Sequence, residues 1–210
     1  MKRIGVFGGA FDPPHNAHLA LAQTAINQLK LDELKIIPTG FAWHKDRPLS
    51  AAELRLKMAQ LAFSGLDRIN VDAREIKREG HSYTIDTLEA LQAEEPDAAF
   101  FLLIGGDQLA AFTQWHRWQD ILSRATVCVA ERPLQASAPA DVLALTPALR
   151  QSIHLQLPPM TVSATAIRQR IATHTGSPHI SQPDLAGLVP DAVARYISLH
   201  GLYQARPTSP

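Results

Sequence analysis

Three features of the sequence predict a doubly wound α/β domain built on a parallel sheet of strand order 3-2-1-4-5. Short apolar runs at 4–7, 34–37, 69–71, 100–104 and 126–130 alternate with longer segments of helical period. A helix between successive strands makes those strands parallel and covers both faces of the sheet. Two of the runs end in glycine pairs, Gly8-Gly9 and Gly105-Gly106-Asp107, and a ligand crevice in such a sheet opens beyond the strand ends where strand order reverses. The run 100–104 is the most apolar of all, so it is placed centrally, beside the first strand. Residues 1–203 are expected to form one Rossmann-like domain with a helical C-terminal part, and 204–210 a disordered tail.

The first run passes through Gly8-Gly9 into Asp12-Pro13-Pro14, which offers a cap and a proline-fixed helix entry. A helix over about 15–30 then carries Leu19, Ala22, Ile26 and Leu29 on one apolar face. Pro38 and Gly40 close the second run. The next helix is expected from Ser50, with Glu53 completing a capping box and Leu54, Met58, Leu61 and Ala62 facing the core. Gly80 breaks the chain, and Ser82 or Thr84 caps a helix to Ala93. Residues 107–124 read as a helix interrupted at Trp115-His-Arg-Trp118, where Trp118 packs into the core.

Beyond the fifth run, 133–151 shifts to Ala, Pro, Leu and Ser. It is either a variable surface connection with one short helix or a partly mobile loop, and no chemistry is assigned to it. Residues 153–157 alternate as a sixth strand. Val162-Ser-Ala-Thr165 opens a helix to Thr173, and 175–183 is a loop rich in turn formers. The last helix starts at Pro190-Asp191 and stops at Gly201, the usual proline-start and glycine-stop arrangement.

Twenty basic residues balance twenty acidic ones, which argues against nucleic acid as an obligatory partner. The single cysteine, Cys128, cannot form an internal disulfide and fits a reducing cytoplasm. No apolar run approaches membrane-spanning length, and the N-terminus lacks a signal-peptide layout.

A strand, a glycine turn and a helix N-terminus together make an anion site, because unpaired backbone N–H groups and the helix dipole both face the bound group. His15 and His18 stand three apart and project from one side of that first turn. Gly5, Gly8 and Gly9 do not fit a dinucleotide fingerprint, and no Walker lysine pattern is present. The histidine loop is therefore an anion-binding turn of neither of those two kinds.

This stretch resembles the first signature of the nucleotidylyltransferase superfamily at Gly8, Gly9, Phe11, Asp12, Pro13, His15 and His18, with Ala17 where glycine is usual. The resemblance implies that Gly8, Gly9 and Phe11 bind ATP, while His15 and His18 contact its triphosphate and stabilise charge at the α-phosphorus. Asp12 is read as a cap holding the loop rather than as a base. Val162-Ser-Ala-Thr-Ala-Ile-Arg168 resembles the second signature, with Ala164 in place of a common serine. Alone it reads as a helix cap with a surface arginine. Paired with the first signature it implies that Ser163, Thr165 and Arg168 hold the β- and γ-phosphates. Gly105-Gly106-Asp107 is similar to the family's Gly-Ala-Asp element, implying backbone contact with ATP at Gly105 and ribose contact at Asp107, which can also act as a plain N-cap. Arg132 is placed near the adenine or the phosphates.

Two further segments resemble the bacterial nicotinate mononucleotide adenylyltransferases within that superfamily: His81-Ser-Tyr-Thr-Ile-Asp-Thr-Leu88 and Trp115-His-Arg-Trp118. They imply that Trp115 stacks on the pyridine ring and that backbone amides around Tyr83 and Thr84 receive its carboxylate. His44-Lys45 matches the family's loop after the second strand, with Trp43 in place of proline, and implies that Lys45 engages the mononucleotide phosphate near the reacting centre. The implied reaction joins ATP and nicotinate mononucleotide into nicotinate adenine dinucleotide and pyrophosphate. Mg²⁺ is expected between the phosphates, held by them and by water. A monomer or small homo-oligomer is expected. Two alternatives stay open at this stage: adenylyl transfer to another phosphate such as phosphopantetheine, and a non-catalytic nucleotide-binding module.

Overall fold

The computed structural model describes residues 1–40, 49–131, 149–174 and 184–204. Lys45 with its neighbours Trp43 and His44, Arg132, nearly all of the connection 133–151, the loop 175–183 and the tail beyond Gln204 lie outside the described residues. Among the described residues six strands form one sheet: β1 (Arg3–Gly9), β2 (Glu33–Pro38), β3 (Ile69–Val71), β4 (Ala99–Gly105), β5 (Ala125–Glu131) and β6 (Ile153–Gln156). Their spatial order is β3-β2-β1-β4-β5-β6, and every pairing is parallel. The order expected for the first five strands holds, and the sixth adds at the β5 edge.

Alternation along the strands divides the core into two layers. Phe101 and Leu103 point to one face, where they meet Leu21, Ala22, Ala25 and Ile26 of α1 (Asn16–Gln28). Met58 and Phe63 of α2 (Ala52–Phe63) belong to the same layer. Phe100, Leu102 and Ile104 point to the other face, against Ile85, Leu88 and Leu91 of α4 (Thr84–Glu94). Each such side chain taken fully from water stabilises the fold by about 1.5–3 kcal/mol. The two layers thus hold the C-terminal ends of β1 and β4 side by side, the pair between which strand order reverses.

Several local expectations are corrected. The capping box at Ser50 and Glu53 does not form: α2 starts at Ala52, with Ala51 as an N-cap that makes no side-chain bond. Its buried face is Arg55, Met58, Ala59, Ala62 and Phe63, so Leu54 and Leu61 fall on the flanks. Asp12 does not cap α1, whose N-cap is His15. A four-residue helix, α3 (Arg74–Lys77), precedes Gly80 and was not anticipated. Tyr83, rather than Ser82 or Thr84, is the N-cap of α4. The interruption within 107–124 is real: α5 (Gly106–Ala110), a 3₁₀ turn at Phe112–Gln114 and α6 (Trp118–Arg124) follow one another, with Arg117 left-handed at φ 53. Asp107 lies inside α5 and Gly105 is its N-cap. The C-terminal part supplies α7 (Ala164–His174) and α8 (Asp191–Leu199).

Candidate active site

A crevice of about 550 Å³ opens at the C-terminal edge of the sheet. On the β1 side Gly8, Gly9, His15 and His18 line it; on the β4 side Gly105, Gly106 and Asp107 do so. Both glycine pairs therefore meet in one cavity, as the switch-point argument requires. Ser82, Tyr83, Thr84 and Trp115 line the same space, so the glycine and histidine loop shares one crevice with both of those segments. Phe11, Ser163, Thr165 and Arg168 do not line it. Ser163, Thr165 and Arg168 stand together at the start of the helix Ala164–His174, where Arg168 reaches the Asp12 carbonyl.

The two imidazoles are locked before any ligand arrives. His15 is 3% exposed, and its ring stacks on that of His18 at 3.7 Å and 19°. The His15 backbone N–H donates to Nδ1 of His18 at 3.1 Å. Since Nδ1 accepts, the ring proton of neutral His18 sits on Nε2. Phe11, buried and left-handed at φ 48, sets its ring edge-on to His18 at 5.1 Å and to Phe7 at 5.4 Å. Phe11 is thus a support of the His18 ring.

Asp12, 2% exposed, anchors the loop from beneath. One carboxylate oxygen accepts the Tyr203 hydroxyl at 2.7 Å and the other the Ser50 N–H at 3.4 Å. Burial and the adjacent Asp12 charge push the Tyr203 phenol well above its ordinary value, so it stays a donor at any working pH. The Asp12 carbonyl accepts Nη1 of Arg168 at 2.7 Å, while Nη2 donates to Thr165 Oγ1 at 3.0 Å. Ser163 Oγ accepts the Ala166 N–H at 3.2 Å, capping α7 as expected. Arg168 therefore ties the two signatures together across 156 positions of sequence.

Arg55, also 2% exposed, is a second anchor. Its guanidinium donates to Ser50 O at 2.9 Å, Ala10 O at 3.0 Å and Gly40 O at 3.2 Å. Gly40 must be glycine, since a Cβ there would lie 2.1 Å from the Glu75 carbonyl oxygen. Glu75 lines the crevice and is 7% exposed. It accepts the Thr87 hydroxyl at 2.8 Å, and Thr87 in turn accepts Nη1 of Arg78 at 3.2 Å. Burial pushes the Glu75 carboxyl up to about 7. Trp115 reaches the cavity from the end of the 3₁₀ turn, tilted against Phe112 at 5.2 Å. Trp118 packs on the second core layer instead.

Sequence reasoning missed Arg55, Glu75, Thr87 and Tyr203. Arg55 carried a usable signal: an arginine three positions before Met58 on a helix's apolar stripe is either misplaced or holding something. Tyr203 carried none.

The profile of the cytidylyltransferase-like family matches residues 6–170. A protein of Albidiferax ferrireducens named "Probable nicotinate-nucleotide adenylyltransferase" is 50% identical over 204 residues, covering 97% of this chain and 99% of its own. A protein of Methylibium petroleiphilum with the same name is 45% identical over 203 residues, covering 96% and 92%. The solved Plasmodium falciparum nicotinic acid mononucleotide adenylyltransferase complexed with NaAD shares the fold at TM-score 0.77 and 17% identity, over 97% of this chain and 98% of that one.

Proposed function

The chain belongs to the cytidylyltransferase-like family, and on that premise we infer that it transfers the adenylyl group of ATP to nicotinate mononucleotide. The products are nicotinate adenine dinucleotide, an intermediate of NAD biosynthesis, and pyrophosphate. One observation carries the reading: a single crevice holds the glycine and histidine loop on one side and Tyr83, Thr84 and Trp115 on the other. The near-full-length relatives named for this activity support the same acceptor.

In this reading a phosphate oxygen of the mononucleotide attacks the α-phosphorus in line. The new P–O bond forms as the bond to the β-phosphate oxygen breaks, and pyrophosphate leaves. The attacking phosphate is already ionised near neutral pH, so no general base is needed. The protein's work is orientation and stabilisation of the equatorial oxygens. His18 presents Nε2–H to those oxygens and His15 braces it from behind. The Gly8-Gly9 backbone admits the triphosphate to the N-terminus of α1. Lys45, outside the described residues, is assigned to the mononucleotide phosphate. Gly105 and Asp107 face the adenosine. Trp115 stacks on the pyridine ring, and the amides at Tyr83 and Thr84 receive its carboxylate.

ATP enters as its Mg²⁺ complex, the ion held by phosphate oxygens and water. Among the described residues no group of three His, Cys, Asp or Glu could hold a metal. We also assign the enzyme to the cytoplasm, acting on small molecules as a monomer or small homo-oligomer. The buried Cys128 thiol, pushed up to about 12 by burial, is unreactive there. Among the described residues no helix is long and apolar enough to cross a membrane.

Ser163, Thr165 and Arg168 act on the leaving pyrophosphate, and Arg168 also holds the loop. Arg168→Ala is expected to raise the KM for ATP about tenfold or more, with kcat changed less. Arg168→Lys recovers only part, because one ammonium cannot bridge the Asp12 carbonyl and Thr165 as the planar fork does. Steady-state kinetics at saturating acceptor checks this, and an unchanged KM in both variants counts against the assignment.

The reaction itself is tested by incubating the protein with MgATP and nicotinate mononucleotide and separating the products by anion exchange. Dinucleotide and pyrophosphate in equal amounts are expected; neither product appearing refutes the reading.

A further inference from the structure

Glu75 stands apart from everything the mechanism uses. Glu75 is a lining residue of the crevice and only 7% exposed, and among the described residues the hydrogen-bond partner of its carboxyl is the Thr87 hydroxyl. Thr87 is itself 1% exposed and belongs to the first turn of α4, the turn that begins at Thr84. The cations around it are directed elsewhere. Arg78 donates to Thr87 Oγ1 rather than to the carboxyl. Arg74 is engaged by Asp72 at 2.6 Å and by Glu94 at 2.9 Å. From β2, Lys35 pairs with Glu33 at 2.7 Å, and from α2 the Arg55 guanidinium sits on the Gly40 carbonyl. Asp72 adds a second negative charge nearby. The result is a buried acid facing a cavity whose proposed acceptor is itself an anion.

We propose that Glu75 is a specificity-determining residue of the acceptor site, which receives nicotinate mononucleotide as a neutral carboxylic acid and takes up a proton when the acceptor binds. This rests on the function inferred above. The acceptor carries a ring carboxylate and a phosphate. An ionised Glu75 in the same poorly solvated crevice repels both, and like charges sharing a site drive one of them to protonate. With Oε1 accepting from Thr87, the proton is carried on Oε2. The carboxyl of the free enzyme is already pushed up to about 7 by burial, so little energy is needed to keep it neutral near physiological pH. The nicotinamide analogue lacks the ring charge and feels less of this repulsion. Preference for the acid over the amide therefore declines as pH rises through 7.

Glu75→Gln is the probe, because it keeps the shape and the Thr87 bond while fixing the neutral state. Titration calorimetry of nicotinate mononucleotide into the enzyme with Mg²⁺ and a non-reactive ATP analogue, in two buffers of different ionisation heat at pH 7.5, reads the proton count. Wild type is expected to take up roughly half a proton or more beyond Glu75→Gln, the difference cancelling the acceptor's own phosphate titration. Between pH 6.5 and 8.5 the wild-type KM for the acceptor is expected to rise about tenfold, and that of Glu75→Gln less than half as steeply. The same proton count and the same slope in both proteins overturn the proposal. If the variant does not fold, wild type alone decides: an acid-to-amide preference that is flat over the same range overturns it, and one that falls severalfold supports it. Failure of nicotinate mononucleotide to bind at any pH overturns the function itself, whereas binding without proton uptake overturns only the role of Glu75.

Discussion

His18→Ala is expected to lower kcat for dinucleotide formation by a hundredfold or more while changing ATP affinity only a few-fold. The His18 ring is held by the stack on His15, the edge of Phe11 and the backbone bond to Nδ1. It therefore spends no reorganisation energy when charge develops at the α-phosphorus, and that is where preorganised donors act most strongly. Losing one such donor typically costs about 2.7–4 kcal/mol in the transition state, or roughly 10²–10³ in rate. A ground-state contact would appear in KM instead. Single-turnover rates with saturating ATP and acceptor make the distinction. A His18→Ala enzyme with near-normal kcat removes His18 from the reacting centre.

Arg55→Ala is expected to destabilise the protein by about 3–5 kcal/mol, because leaving a buried acceptor unsatisfied costs about 1–3 kcal/mol and three are affected. Three carbonyls, at Ala10, Gly40 and Ser50, lose their donor at once, and the α2 face loses its largest buried side chain. For a chain of this size the melting temperature falls by roughly 10 °C. Arg55→Lys recovers little, since one ammonium cannot span three carbonyls from three segments. Scanning calorimetry at fixed pH reads the effect, and a melting point within about 2 °C of wild type contradicts the anchoring role.

The first five strands and their order were legible because each lies in a short apolar run between helical periods, and Gly8-Gly9 and Gly105-Gly106 marked the strand ends that meet. His15 and His18 stood out by their spacing, and Tyr83, Thr84 and Trp115 by a resemblance; the structure brings all five to one crevice. Helix starts were less legible. Ser50 and Glu53 have the chemistry of a capping box, yet the Ser50 N–H is drawn to Asp12 and its carbonyl to Arg55, so α2 begins later. Arg55, Glu75 and Tyr203 act through partners 15, 12 and 191 positions away, and no local period encodes such distances.

The central claim concerns the acceptor, and acceptor competition at pH 7 tests it most directly. Pyrophosphate release and dinucleotide formation are followed with MgATP and nicotinate mononucleotide, nicotinamide mononucleotide or phosphopantetheine. On the proposed reading the ring carboxylate makes charge-assisted bonds to fixed amides, roughly twice as strong as neutral ones, while the amide's own N–H donors oppose them. The expected result is a kcat/KM for nicotinate mononucleotide at least about tenfold above that for the nicotinamide form, with no transfer to phosphopantetheine. Faster transfer to phosphopantetheine, equal use of the two pyridine nucleotides, or no pyrophosphate from any acceptor would each contradict it.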